Sequence, residues 1–255
     1  MLEIVVFSIV PNLFPGPLGE SIFYNAIQDN RFCIKSINLR DFAKQHYNRV
    51  DDYPFGGGAG LVMKVDILSA ALEAEFKLQN ITYNNIDGDY YDVDSNKIDK
   101  YEAPLIIIPS AKGYTFNQKI AKSLTNFKKI FFICGRFEGI DQRFIEYYRA
   151  KEISIGDYVL AGGETAVFVI CEAVVRLLSG VMGNKDTCLE ESFSIIGDEG
   201  EPLKEYSHYT RPAIWNGLCV PDVLRGGNHQ EVAKWRLLEA KKNTTKAMKN
   251  PIDIF

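Results

Sequence analysis

Hydrophobic positions along this chain follow two alternating patterns. Short unbroken apolar runs at 2–9, 105–109 and 129–134 are what a strand covered on both faces requires. Apolar residues recur at helical spacing over 19–29 and 66–78, and 32–38 reads as a further strand. Near the middle, a strand-like segment at 151–155 runs through a Gly-Gly turn into a long apolar helix. Strands alternating with helices predict an α/β fold with a mainly parallel sheet.

Breaks in the pattern divide the chain. A Pro-rich loop occupies 11–17, and Tyr53-Pro54-Phe55-Gly56-Gly57-Gly58-Ala59-Gly60 is a glycine loop. Residues 80–102 are rich in Asn, Asp and Tyr and predict an irregular excursion. From 183 to 205 the chain turns polar, and Gly197-Asp198-Glu199-Gly200-Glu201-Pro202 is its clearest linker signal. This predicts a domain over 1–182, a linker over 183–205 and a small helical domain over 206–255. Within the last, Asn228 with Glu231 three residues on resembles a capping box, opening a helix through Val232, Trp235 and Leu238.

A chain of 255 residues buries a large core and holds one or two domains. A net charge of −4 speaks against a protein that coats nucleic acid. The charge is uneven, however: from Lys204 onward there are nine Lys/Arg against five Asp/Glu, so this segment carries +4 and the rest −8. A basic C-terminal module on an acidic body is compatible with a nucleic-acid partner. Five cysteines, an odd number with no C-x-x-C pair, predict free thiols and a reducing compartment. His46, His208 and His229 are scattered without H-E-x-x-H, so no zinc site is expected. Glu3 stands where a signal peptide needs positive charge, and Glu172 interrupts the longest apolar stretch. The expected location is the cytoplasm.

Candidate chemistry gathers in loops. Gly56-Gly57-Gly58-Ala59-Gly60-Leu61 fails both phosphate-loop templates: no G-K-[ST] follows, and Leu61 breaks G-x-G-x-x-G. It is either a mobile loop or bare backbone that closes on a substrate. Cys134-Gly135-Arg136-Phe137-Glu138-Gly139-Ile140-Asp141 follows an apolar strand. It reads as a ligand loop or as a turn bearing a surface Arg–Glu pair. Ile155-Gly156-Asp157-Tyr158-Val159-Leu160-Ala161-Gly162-Gly163-Glu164 suits an adenine or ribose pocket lined by backbone groups. Arg176, near the end of the apolar helix, is either a C-terminal cation on the helix dipole or a guanidinium aimed at a phosphate or a charged oxygen. Glu190 and Glu191 are solvated acids or a general base carried by the linker. His208, Arg211, Lys234 and Arg236 interleave with Tyr209 and Trp235 as an RNA-binding surface does, or form a solvated basic face.

Taken together, these segments resemble the bacterial tRNA (guanine-N1)-methyltransferase (TrmD) family. The resemblance rests on Pro-Phe-Gly-Gly-Gly-Ala-Gly (54–60), Cys-Gly-Arg-Phe-Glu-Gly-Ile-Asp (134–141), Ser-Ile-Gly-Asp-Tyr-Val-Leu-Ala-Gly-Gly-Glu (154–164), Ser-Gly-Val-Met-Gly-Asn (179–184) and His-Tyr-Thr-Arg-Pro (208–212). Gly-Asn-His-Gln-Glu-Val-Ala-Lys-Trp-Arg (227–236) extends it over nearly the whole chain. It implies a SPOUT-class α/β domain with a trefoil-knotted donor-binding region, a linker and a small helical domain. A knot is rare, and nothing in the periodicity suggests one. It also implies a homodimer with active sites at the interface, S-adenosyl-L-methionine as donor, and tRNA methylated on the guanosine 3′ of the anticodon. Magnesium dependence is implied without a ligand set. The family's donor-binding positions correspond to Pro109, Ser110, Gly135, Glu138, Gly139, the run 155–160, Gly162 and Gly163. Substrate contacts are expected from Gly57, Gly58, His208, Arg211, Lys234 and Arg236. Arg176 takes the place of the family's charge-stabilising arginine. Where the family carries an aspartate base, this chain has Glu191, one methylene longer. It departs further at Ala111 and Ala166, where proline is usual, in the insertion around 80–102, and in a shorter C-terminal stretch after the Trp235 helix.

Overall fold

The computed structural model describes residues 1–43, 47, 49–81, 104–183 and 191–249, with side chains as far as residue 246. It divides into two compact units, Met1–Gly183 and Asn184–Phe255. The first unit contains β1 (Leu2–Ser8), α1 (Ser21–Gln28), β2 (Phe32–Asn38), a short pair β3 (Asp51–Asp52) and β4 (Val62–Met63), and α2 (Val65–Leu78). After these come β5 (Leu105–Thr115), α3 (Gln118–Leu124), β6 (Lys129–Ile133), α4 (Gln142–Tyr147), β7 (Lys151–Ser154) and α5 (Glu164–Val175).

Five of the strands form one sheet in the order β2-β1-β6-β5-β7, and every pairing in it is parallel. The unbroken apolar runs explain this. Successive side chains of a strand point to opposite faces. In β1, Leu2, Ile4 and Val6 join one core with Phe23 of α1, Ala121 and Leu124 of α3, and Val167, Ile170 and Val174 of α5. Val5 and Phe7 join another with Ile67, Leu68, Ala71 and Leu72 of α2 and Phe144 of α4. Neither face can be left to water, so helices cover both. The spacing Val167, Ile170, Cys171, Val174 is the i, i+3, i+4, i+7 stripe that seats α5 on the sheet.

The apolar run expected to end at 109 belongs to a strand that continues to Thr115. Pro109 pairs with Ile153, and so does Tyr114; residues 110–113 leave the ladder and return to the same partner. Gly113 makes the return possible. A Cβ placed there would lie 2.3 Å from the carbonyl carbon of Glu152 and 2.4 Å from the amide nitrogen of Ile153. The polar residues after Pro109 hid this continuation from the hydrophobic pattern. Residues 82–103, most of the Asn/Asp/Tyr-rich excursion, lie outside the described residues.

The second unit holds β8 (Ile195–Ile196) paired with β9 (Pro202–Leu203), β10 (Ile214–Trp215) paired with β11 (Leu218–Cys219), α6 (Asp222–Arg225) and α7 (His229–Lys249). Asn228 caps α7: its Oδ1 accepts from the backbone N–H of Gln230 (3.1 Å) and Glu231 (3.4 Å). The polar stretch before this helix is not an open tether from Glu191 onward. The N–H of Phe193 donates to the carbonyl of Leu203, and the N–H of Lys204 donates to Thr244 Oγ1 of α7 at 2.8 Å.

Candidate active site

Three loops meet where β6 and β7 end and β5 leaves its ladder. In open α/β sheets this edge offers ligands free backbone groups at strand ends and helix starts. The loops are the excursion at 110–113, the turn at 134–141 after β6, and the segment at 155–163 between β7 and α5. They line a cavity of about 310 Å³. Ile108, Ile140 and Ile153 supply apolar wall, and Arg136 and Glu138 supply charge. This combination of apolar surface and a few placed polar groups is the usual composition of a small-molecule pocket.

Among the residues expected at a donor site, Pro109, Ser110, Gly135, Glu138, Gly139, Ile155, Gly156, Tyr158, Val159, Leu160, Gly162 and Gly163 all line this one cavity. Asp157 does not; it is exposed. Ala111, Lys112, Phe137 and Ala161 also contribute, though none of them was expected as a donor contact. The 134–141 loop is pinned from the side. The N–H of Glu138 donates to the carbonyl of Leu61 and that of Met63 to the carbonyl of Gly139, both at 2.9 Å. Gly57 and Gly58 stand beyond this clamp in an exposed loop with positive φ, and neither lines the cavity.

The electrostatic arrangement differs from the expected surface pair within 136–138. Arg136 reaches across to Glu164, the first residue of α5, with Nε 3.1 Å from Oε2. The Glu164 side chain is 2% exposed. Its other oxygen accepts from Ser8 Oγ at 2.6 Å, at the end of β1. A buried carboxylate needs such partners, and removing one member of a buried pair typically costs about 3–5 kcal/mol. Nothing in the sequence pattern singled out Glu164 or paired it with Arg136, which another loop supplies. Asp141 closes the turn as the N-cap of α4, accepting from the N–H of Arg143 at 2.9 Å. Its side-chain hydrogen bond to the Arg143 guanidinium holds its carboxyl below the ordinary range.

Burial pushes the thiols of Cys134 and Cys171 well up, so both stay protonated at neutral pH. Cys33, Cys134, Cys171 and Cys219 are free thiols, as expected, and Cys188 lies outside the described residues.

Arg176 does not line the cavity. It is the C-cap of α5, twelve residues beyond Glu164 and so about 18 Å along the helix axis. Glu191 belongs to the second unit. It opens a turn in which the N–H of Ser194 donates to its carbonyl at 3.0 Å, and Phe193 has φ +69°. Glu190 lies outside the described residues. Of the expected RNA contacts, Arg211 and Lys234 are exposed, and His208 is exposed with Nε2 3.4 Å from Glu205 Oε2. Arg236 is half-buried, its guanidinium 4.7 Å from the centre of the Tyr206 ring. That cation–π contact makes Arg236 as much a packing residue of this unit as a surface cation.

Comparison of the sequence with known proteins identifies a family. The family model described as tRNA (Guanine-1)-methyltransferase TrmD matches residues 2–253. A tRNA (guanine-N(1)-)-methyltransferase of Roseobacter denitrificans is 40% identical over 239 residues, covering 94% of this chain and 88% of that protein. The proteins of the same name from Wolbachia pipientis wMel and Rhodospirillum rubrum are each 40% identical, over 234 and 235 residues. Each alignment covers 92% of this chain, and they cover 88% and 86% of the respective relatives. On a match that spans both units and every loop of the cavity, this chain belongs to the tRNA (guanine-1)-methyltransferase family TrmD.

Proposed function

We infer that this protein transfers a methyl group from S-adenosyl-L-methionine to N1 of the guanosine immediately 3′ of the anticodon in tRNA. The observation that supports this most directly is the convergence of three separate loops, each bearing family donor positions, on one cavity at the sheet edge. The cavity suits the donor. Its volume lies at the small end of the ~300–1,000 Å³ typical of ligand pockets. Ile155, Val159 and Leu160 offer apolar contact for an adenine ring, and glycine backbones admit close approach.

The donor, when bound, supplies an electrophilic methyl group on a positively charged sulfur. Guanine N1 carries a proton at neutral pH, so a base must take that proton as N1 attacks. Glu191 holds the family's base position and receives it. Arg176 holds the position that stabilises negative charge on O6 as the proton leaves. The glycine loops contribute by positioning, orienting the methyl group toward the acceptor. Arg176 lies off the cavity of its own chain, which fits a homodimer whose active sites are shared between protomers. The same reading includes the SPOUT-type knotted core, the helical tRNA-binding unit and a cytoplasmic location; no helix among the described residues is long and apolar enough to cross a membrane. Among the described residues no group of three His, Cys, Asp or Glu comes together as a metal-binding set.

Incubation with labelled donor and two tRNA transcripts, carrying G or A after the anticodon, tests the assignment. Label entering only the G transcript, at N1, is expected. Label in both transcripts, or on another base atom, points to a related methyltransferase of different specificity. Binding without transfer points to a non-catalytic RNA-binding protein. The second unit should act through phosphate contacts: Lys234→Ala, at an exposed position of α7, is expected to weaken all tRNAs alike. Its log–log salt dependence of binding should be shallower by about one unit.

A further inference from the structure

The Arg136–Glu164–Ser8 chain joins three segments that are distant in sequence. Both oxygens of the Glu164 carboxylate are engaged, one by Ser8 Oγ and the other by Arg136 Nε. Ser8 Oγ is itself held, accepting the N–H of Val10 at 2.9 Å. Gly162 leaves room for the arrangement, since a Cβ there would sit 2.3 Å from Arg136 Nε and 2.6 Å from Glu164 Oε2. Arg136 is therefore gripped from behind, through one nitrogen. Among the described residues its two Nη groups make no hydrogen bond, and the side chain, 27% exposed, lines the cavity.

A guanidinium fixed through Nε presents a pair of parallel N–H donors along its outer edge, the geometry that receives a planar carboxylate. We propose that Arg136 binds the carboxylate of the donor's amino-acid tail, and that Glu164, backed by Ser8, is the positioning residue that aims it. This rests on the reading of the cavity as the donor site. A merely structural Glu164 would loosen the whole pocket, whereas a positioning Glu164 affects only ligands that carry the tail.

The test is calorimetric titration of the full-length protein with two ligands. S-adenosylhomocysteine carries the amino-acid tail; 5′-methylthioadenosine keeps the nucleoside and thioether but lacks it. In Arg136→Lys and Glu164→Gln, the affinity for S-adenosylhomocysteine is expected to fall about tenfold or more, the loss typical of a hydrogen bond to a charged group. Affinity for 5′-methylthioadenosine should be unchanged. Ser8→Ala keeps both charges and should show the same selective loss, smaller in size; it carries the test if Glu164→Gln fails to fold. Equal losses for both ligands, or no loss for S-adenosylhomocysteine, overturn the proposal. Failure of the unsubstituted protein to bind either ligand overturns the donor-site reading along with it.

Discussion

Glu191→Gln is expected to lower the rate of methyl transfer by about 10²–10⁴-fold, the usual contribution of a positioned general base. Donor affinity should be unchanged, because Glu191 is not among the residues that line the cavity proposed for the donor. The substitution keeps size and hydrogen-bonding capacity while removing the basic oxygen. A base that receives the N1 proton cannot be replaced by an amide, whereas a residue that only orients the guanine can. Single-turnover transfer to the G transcript, alongside equilibrium donor binding, separates the two. Full activity in Glu191→Gln would remove the residue from the mechanism. Glu191→Asp, which keeps a carboxylate on a shorter arm, should retain far more activity than the amide. The turn around 191–194 is held to the Leu203 backbone, so the shorter side chain starts from a defined place.

Gly113→Ala is expected to destabilise the first unit by about 3 kcal/mol, at the upper end of ordinary overpacking costs. The added methyl would meet backbone atoms of Glu152 and Ile153 at 2.3–2.5 Å. A flexible side chain could swing away from such a contact, but a peptide in a parallel ladder cannot. The strain must therefore open the β5–β7 pairing or distort the excursion that carries Ser110, Ala111 and Lys112 to the cavity. A lower urea midpoint and weakened donor binding are expected together. Gly183→Ala is the control, since a Cβ there meets nothing within 4 Å. An unchanged midpoint in Gly113→Ala would mean that the two strands are not packed as closely as described.

Much of the fold was legible in the chain because parallel strands declare themselves. Runs such as Ile4-Val5-Val6-Phe7 and Ile130-Phe131-Phe132-Ile133 have no polar face, so they demand cover on both sides. The excursion of β5 was not legible. Residues 110–113 look like the end of a strand, and only the return of Tyr114 to Ile153 shows otherwise. At the site, the glycine loops at 134–141 and 155–164 stood out by composition. The partner of Arg136 did not, because Glu138, two residues away, was the nearer carboxylate in sequence. The structure instead brings in Glu164 from the start of α5.

Local patterning, then, determined the elements, their order and the loops rich in binding chemistry. Those properties depend on side-chain periodicity and turn residues within a few positions of one another. Tertiary structure decided which loops share a cavity, which carboxylate holds Arg136, and which glycine permits the close approach of β5 to β7. These depend on strand order: β5 lies between β6 and β7 although it precedes both in the chain. That placement joins residues as far apart as Ser8 and Glu164, a distance over which hydrophobic periodicity carries no information.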